Sequence, residues 1–438
     1  MYMNESEKKC NGSSYSRRDF LSISTAGVLG IVTESALGNN MPADKPVFPD
    51  YQAMEKGTGK NVNLIGAYGQ WASEKTRGSL PAYSFRRKEW NNIETWRIAA
   101  KNRVLESIAS PDLGEIPEVK VHKQYIYDGL QVEEITWQLP YGMPTEAVVL
   151  KPANSKGPLP GILAFHHHGA DKYFGKRKIV RTNNSPHPHN VDSQQQYYDG
   201  IAWANEMAKR GYVVLVHDAF PFESRRVLLK EVPEFLRGDL TDNESEKLEN
   251  VNKYNQWASE HEDIMAKSLF CAGTSWPGVW VAEDLVALDI LCARKDVDAD
   301  KIGCGGLSGG GMRTVFVAGL DPRIKCAVCV GLMTTWEDFM LNKSHTHTWM
   351  TFAPVLPKEL DFPEILGLRV PLPTLVLNAN EDGLFTLPGM RHADEILKAV
   401  YEKANASEKY KASFYPGGHK FGKEMQKEAF TWFDKWLK

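Results

Sequence analysis

The chain has no surplus of positive charge, no long hydrophobic run and little cysteine. Across 438 residues, 52 Lys and Arg stand against 55 Asp and Glu, a net charge of −3. A nucleic-acid partner is therefore not expected, because nothing is in excess to displace counterions from a phosphate backbone. The longest apolar stretch near the N-terminus, Leu21 to Val32, is diluted by Gly, Ser and Thr and is too short to anchor in a bilayer. Repeats and low-complexity tracts are missing. Of six cysteines, Cys10 precedes that stretch, leaving Cys271, Cys292, Cys304, Cys326 and Cys329. An odd number excludes complete pairing, and the last three lie in apolar strand-like runs, which suits buried small hydrophobes better than a disulfide framework. What is present, 42% hydrophobic and 24% charged residues, is the composition of a soluble globular protein that can bury a full core.

Ser16-Arg17-Arg18-Asp19-Phe20-Leu21 opens the short apolar stretch, and Ala36-Leu37-Gly38 closes it with small residues. This order reads as a twin-arginine export signal over residues 1–38, which places the mature protein in a periplasm or outside the cell, with no membrane association after cleavage. Residues 39–117 read as an N-terminal extension. Asn39 to about Tyr83 shows no sustained period, and Ser84–Ala109 reads as one long helix with Trp90, Ile93, Ala100, Val104 and Ile108 near one face.

From 118 to 438 strands and helices alternate. Two β-rich runs flank Asp128-Gly129, which supplies the positive φ of a hairpin, and Thr145–Lys151 adds a strand. The strands Gly161–Phe165, Tyr212–His217, Lys301–Gly305, Ile324–Val330, Thr374–Asn378 and Lys411–Tyr415 are then separated by helices at Gln195–Arg210, Trp280–Ala293, Gly310–Gly319, Met390–Lys403 and Lys420–Leu437. Near-continuous apolar strands between helices predict a doubly wound, mostly parallel sheet covered on both faces. About 221–275 is too long for a connection in such a sheet. Its charged, helical pattern (Arg226–Arg237, then Glu244–Phe270) reads as a cap inserted over a site at the strands' C-terminal edge.

The stretch KIGCGGLSGGGMRTVFVAGL, 301–320, carries the chemistry. Gly306-Leu307-Ser308-Gly309-Gly310 fits GxSxG between a strand and a helix, a turn so sharp that only small residues fit beside a serine pushed out toward substrate. Ser308 as nucleophile needs a base and an orienting carboxylate later in the chain. Asp382 follows the strand at 374–378 and His419 follows the strand at 411–415, so the order Ser, Asp, His is complete, with Glu381 as the rival acid. One oxyanion amide is expected from Gly309. The second is expected from the loop after the strand at 161–165, with His168, Gly169 and Ala170 as candidates. The histidines at 166–168, 187, 189, 217, 345 and 347 include no HExxH spacing, and neither metal nor cofactor is expected. Trp276, Trp336 and Arg313 lie near predicted strand ends or in insertions and are expected to bind substrate by stacking or by charge.

With HHHGA at 166–170, DVD leading into KIGCGGLSGGG, LDPRIKCAV at 320–328, NANEDGLF and PGGHKF in place, the chain from about 120 onward resembles the secreted α/β-hydrolases of the acetyl xylan esterase and dienelactone hydrolase-like group. The resemblance implies an α/β-hydrolase fold and carboxylic-ester hydrolysis through an acyl-enzyme, with a small-molecule or carbohydrate ester as substrate. Dienelactone hydrolases proper use cysteine where Ser308 stands, which favours the esterase side. Glucuronoyl esterases are similar in outline but follow the serine with Arg and Asn, not Gly309-Gly310. A prolyl oligopeptidase-like peptidase shares the triad order but usually carries a propeller, for which residues 39–117 are too few, and a non-catalytic binding protein on this scaffold would not need an intact triad.

Overall fold

The computed structural model describes residues 62–77, 80–242 and 246–438. The export signal, Cys10 and most of the region expected to be unstructured lie outside them. Among the described residues nine strands form one sheet: β1 (Lys120–Tyr127), β2 (Leu130–Trp137), β3 (Thr145–Pro152), β4 (Leu159–Phe165), β5 (Val213–His217), β6 (Val297–Leu307), β7 (Ile324–Val330), β8 (Thr374–Ala379) and β9 (Tyr410–Tyr415). Their order is β1-β2-β3-β5-β4-β6-β7-β8-β9. The hairpin turns at Asp128 (φ 50) and Gly129 (φ 75), and β1, β2, β3 and β5 pair antiparallel. From β5 through β4 to β9 every pairing is parallel.

Parallel strands need crossover connections, and the helices that supply them cover both faces. On one face Trp276–Cys292, Gly309–Leu320 and Leu387–Lys403 bury a large apolar cluster, and Ile93–Ile108 adds Trp96, Ala100, Val104 and Ile108 to it. On the other face Trp203–Lys209 and Lys423–Leu437 bury a second cluster. All five residues of β5 are buried, as expected of a strand covered on both sides. Cys304, Cys326 and Cys329 are fully buried and unpaired within these layers.

Several sequence expectations change in detail. The helix expected over Ser84–Ala109 begins only at Ile93, where Asn92 accepts from the Thr95 amide as its cap. Residues before Tyr83 include a helix, Tyr68–Arg77, which the aperiodic composition hides. The single helix over Gln195–Arg210 is two, Pro188–Tyr198 and Trp203–Lys209, because Asp199 (φ 53) and Gly200 (φ 81) turn left-handed between them. Arg226–Arg237 holds one 3₁₀ turn, Leu229–Glu231, and one α-turn, Glu234–Arg237, after Pro233. Within 244–270 the described residues form two helices, Leu248–Glu260 and Glu262–Cys271, which meet at His261. A second excursion, absent from the sequence reading, fills 336–367 between β7 and β8 with short helices. Among the described residues no helix is long and apolar enough to cross a membrane.

Candidate active site

Ser308 stands at the C-terminal end of β6 with φ 57 and ψ −117, immediately before the helix Gly309–Leu320. A β-carbon-bearing residue rarely adopts that conformation, and strain of this kind persists only where the surroundings impose it. The Ser308 amide donates to Val330 O at 2.9 Å and its carbonyl accepts from the Met312 amide at 2.9 Å, so the turn is fixed from both ends. Its glycines are required by space: a β-carbon on Gly306 or on Gly310 would lie 2.5 Å from the Phe165 carbonyl oxygen.

Asp382 and His419 follow the neighbouring strands β8 and β9. His419 Nδ1 lies 2.7 Å from Asp382 Oδ2, and the other carboxylate oxygen accepts from the Leu384 amide at 3.0 Å. Asp382 is buried, whereas Glu381 points to solvent and engages Gly417 only through its backbone. Of the two candidate acids, Asp382 is the one in contact with His419. A β-carbon on Gly331, at the end of β7, would sit 3.1 Å from His419 Cε1 and 3.0 Å from Leu307, which places the imidazole beside the residue preceding Ser308. His347 supports the acid loop by bonding Leu384 O at 2.9 Å. Burial pulls its pKa down to about 4, so it works there as a neutral ring.

The loop after β4 faces the elbow. The His168 amide nitrogen would lie 3.0 Å from a β-carbon on Gly309, so this amide sits over the turn that holds the serine. Ala170 is corrected as an oxyanion donor: its N–H is committed to His168 Nδ1 at 3.0 Å. That bond fixes the tautomer, because Nδ1 accepts and Nε2 must carry the proton that reaches Glu262 Oε1 at 2.8 Å. Gly169 (φ 62) and Ala170 (φ 52) both turn left-handed. The other two histidines are internal fittings: His166 accepts from the Ala219 amide at 3.3 Å and bonds His167 O at 3.0 Å, and His167 Nδ1 lies 2.7 Å from Tyr198 Oη. Burial lowers the pKa of all three.

Sequence reasoning missed Glu262. It begins the helix Glu262–Cys271, and its carboxylate gathers His168, the Lys172 ammonium at 2.6 Å and Thr348 Oγ1 at 2.7 Å. The Lys172 contact is an ion pair, not an aligned hydrogen bond. Burial opposes ionisation of Glu262, but His168 and Lys172 outweigh it and hold the carboxyl below its usual range. One residue of the 221–275 segment thus ties the loop after β4 to the excursion after β7.

The three expected substrate contacts are corrected. Trp276 is 1% exposed and packs with Phe220 at the start of a core helix. Trp336 is 6% exposed, its Nε1 bonded to Leu360 O at 3.1 Å. Arg313, 1% exposed, spans Asp284 at 2.6 Å and His217 at 2.8 Å and lies over the Phe165 ring. All three side chains are buried in the core, and none is open to a substrate.

A family model described as the prolyl oligopeptidase family matches residues 268–366, a stretch that contains Ser308 but stops short of Asp382 and His419. "Putative hydrolase YtaP" of Bacillus subtilis (strain 168) is 27% identical over 294 residues, 66% of this chain and 83% of that protein. Among solved structures, a "putative acetyl xylan esterase" of Bacteroides fragilis superposes with a TM-score of 0.59 at 18% identity, covering 82% of this chain and 84% of that one. The fold is that of the α/β-hydrolases. A glucuronoyl esterase from Solibacter usitatus gives a TM-score of 0.54 at 14% identity over 81% of this chain and 97% of its own. The α/β-hydrolase fold thus confirms the architecture expected from the alternating strands, and the likeness to the acetyl xylan esterase-like group stands.

Proposed function

We propose that this α/β-hydrolase is a serine carboxylic-ester hydrolase acting through an acyl-enzyme on an ester borne by a carbohydrate or another small polar molecule. The observation that carries the reading is the Asp382–His419 hydrogen bond at 2.7 Å, formed at the same end of the sheet as the strained Ser308 elbow. With Nδ1 given to Asp382, the Nε2 of His419 is left to take the Ser308 proton as Oγ attacks the ester carbonyl. The Gly309 and His168 amides receive the oxyanion, His419 returns the proton to the departing alcohol, and water repeats the cycle to free the acid. The segment 221–275 serves as the cap, a role supported by the grip of Glu262 on the His168 loop.

The test is a stopped-flow assay with p-nitrophenyl acetate, together with mass spectrometry of the chain after fluorophosphonate treatment. A p-nitrophenol burst, an adduct on Ser308 and loss of both in Ser308→Ala are expected. Turnover retained by Ser308→Ala would overturn the assignment. Acetylated, feruloylated and glucuronate methyl esters then separate substrate classes. The prolyl oligopeptidase family match favours a peptidase as the second reading. It would prevail if a proline-containing peptide anilide were cleaved and no ester were. Export is read from Arg17 and Arg18, and their replacement by Lys should hold a tagged full chain in the cytoplasm.

A further inference from the structure

We propose that Lys178 is a positioning residue of the oxyanion site, whose ammonium pins the carbonyls of His167 and His168 and so aims the amide N–H groups of His168 and Gly169. The inference rests on the ester-hydrolase reading above. Lys178 ends a 3₁₀ turn, Lys176–Lys178, and is completely buried. Its Nζ donates to His168 O at 2.8 Å, to His167 O at 3.2 Å and to Asp171 O, so its three protons go to three carbonyls of one loop. Burying an ammonium is costly, and this one spends its bonds on backbone where a carboxylate would be the stronger partner.

The identity of those carbonyls gives the cation its purpose. A peptide unit is planar and trans, so the carbonyl of residue 167 and the N–H of residue 168 point in opposite directions from one rigid plate, as do the carbonyl of 168 and the N–H of 169. A cation at the oxygen end fixes the plate and deepens its dipole, which makes the outward N–H a better donor to developing negative charge. His167 O also receives the Nδ1–H of His166, whose Nε2 is occupied by the Ala219 amide. The Phe222 ring closes the other side, 4.7 Å from Nζ.

Burial pulls the Lys178 pKa down to about 8; Asp171, Asp218 and Glu223 oppose that shift and Lys172 adds to it. The buried imidazoles of 166–168, all depressed, face it as neutral rings. A neutral amine has two protons for three carbonyls, so above that pH the loop loses both a bond and its charge.

The experiment compares full-length wild type, Lys178→Met and Lys178→Arg in p-nitrophenyl acetate turnover from pH 6 to 10, with circular dichroism and melting as folding controls. Wild-type kcat should fall along an alkaline limb near pH 8. Lys178→Met should lose about 10- to 100-fold in kcat with KM unchanged and show no such limb. Lys178→Arg, which stays charged, should recover part of the rate and lack the limb. A Met variant with wild-type kcat, or a limb near pH 8 that survives in either variant, would overturn the inference. If the Met variant does not fold, the Arg profile alone decides. Failure of the underlying reading looks different: Ser308→Ala would keep its activity, whereas here Ser308→Ala is inactive and only the Lys178 arms change.

Discussion

His168 and Glu262 stand 94 residues apart in the chain and meet at 2.8 Å, and the same carboxylate holds the Lys172 ammonium. Glu262→Gln keeps the shape but removes the carboxylate that is ion-paired with the buried Lys172 ammonium. A loss of roughly 3 kcal/mol in urea unfolding at pH 7 is expected, partly recovered in the double variant with Lys172→Met. The sign with pH follows from the depressed carboxyl. Its stabilisation is complete above the unfolded carboxyl's pKa of about 4.3 and drains away as pH falls below it. The gap between wild type and Glu262→Gln should therefore narrow at pH 3, and a gap that widened there would contradict the assignment.

Asp382 and Glu381 are neighbours with opposite exposure, and only Asp382 reaches His419. Asp382→Asn should cost about 10⁴-fold in kcat by favouring the wrong tautomer of His419, and Glu381→Gln should leave kcat within about twofold. Steady-state kinetics of the two variants with an acetyl ester check this pair.

Ser308, the proposed nucleophile, holds a left-handed φ of 57. Elsewhere a glycine costs up to about 1 kcal/mol relative to alanine through the entropy of the unfolded chain. Here strain relief of about 1–3 kcal/mol opposes that cost. Both Ser308→Gly and Ser308→Ala should be inactive, but the glycine variant should melt at or above the alanine one in calorimetry.

Arg313 lies on Asp284 in the core and not on an open surface. Arg313→Met should destabilise the protein by about 3–5 kcal/mol because Asp284 stays buried without its guanidinium, with only the His217 ring, at 2.9 Å, beside it. Any activity that remains should keep its KM. A raised KM with unchanged stability would return Arg313 to the substrate side.

The features legible in the sequence are the local ones. The β1–β2 hairpin is written in Asp128-Gly129, β7 in an apolar run broken only by Lys325, and the elbow in the glycines around Ser308, because each depends on residues a few positions apart. What escaped depends on distant partners. Trp276 and Trp336 look like free aromatic faces until the segments that cover them are placed: Leu360 receives the indole of one, and the helix of the other begins against the carbonyl of Ile108. Lys178 lies in Lys176-Arg177-Lys178, which reads as a solvated basic turn. Only the folded loop shows that its first and last members are buried and its middle one paired with Glu223 and Glu246. Glu262 has no motif at all, since its partners come from two separate segments, the loop after β4 and the excursion after β7.

The cysteines outside the core have a practical use. Cys304, Cys326 and Cys329 are sealed in the sheet with thiols that burial makes reluctant to ionise, and Cys271 is exposed at the last turn of the helix that Glu262 begins. With Cys10 and the half-buried Cys292 replaced by Ser, a maleimide dye or nitroxide would attach at that one position. The label would then report, in real time, any swing of the Glu262 helix when a candidate ester substrate is added.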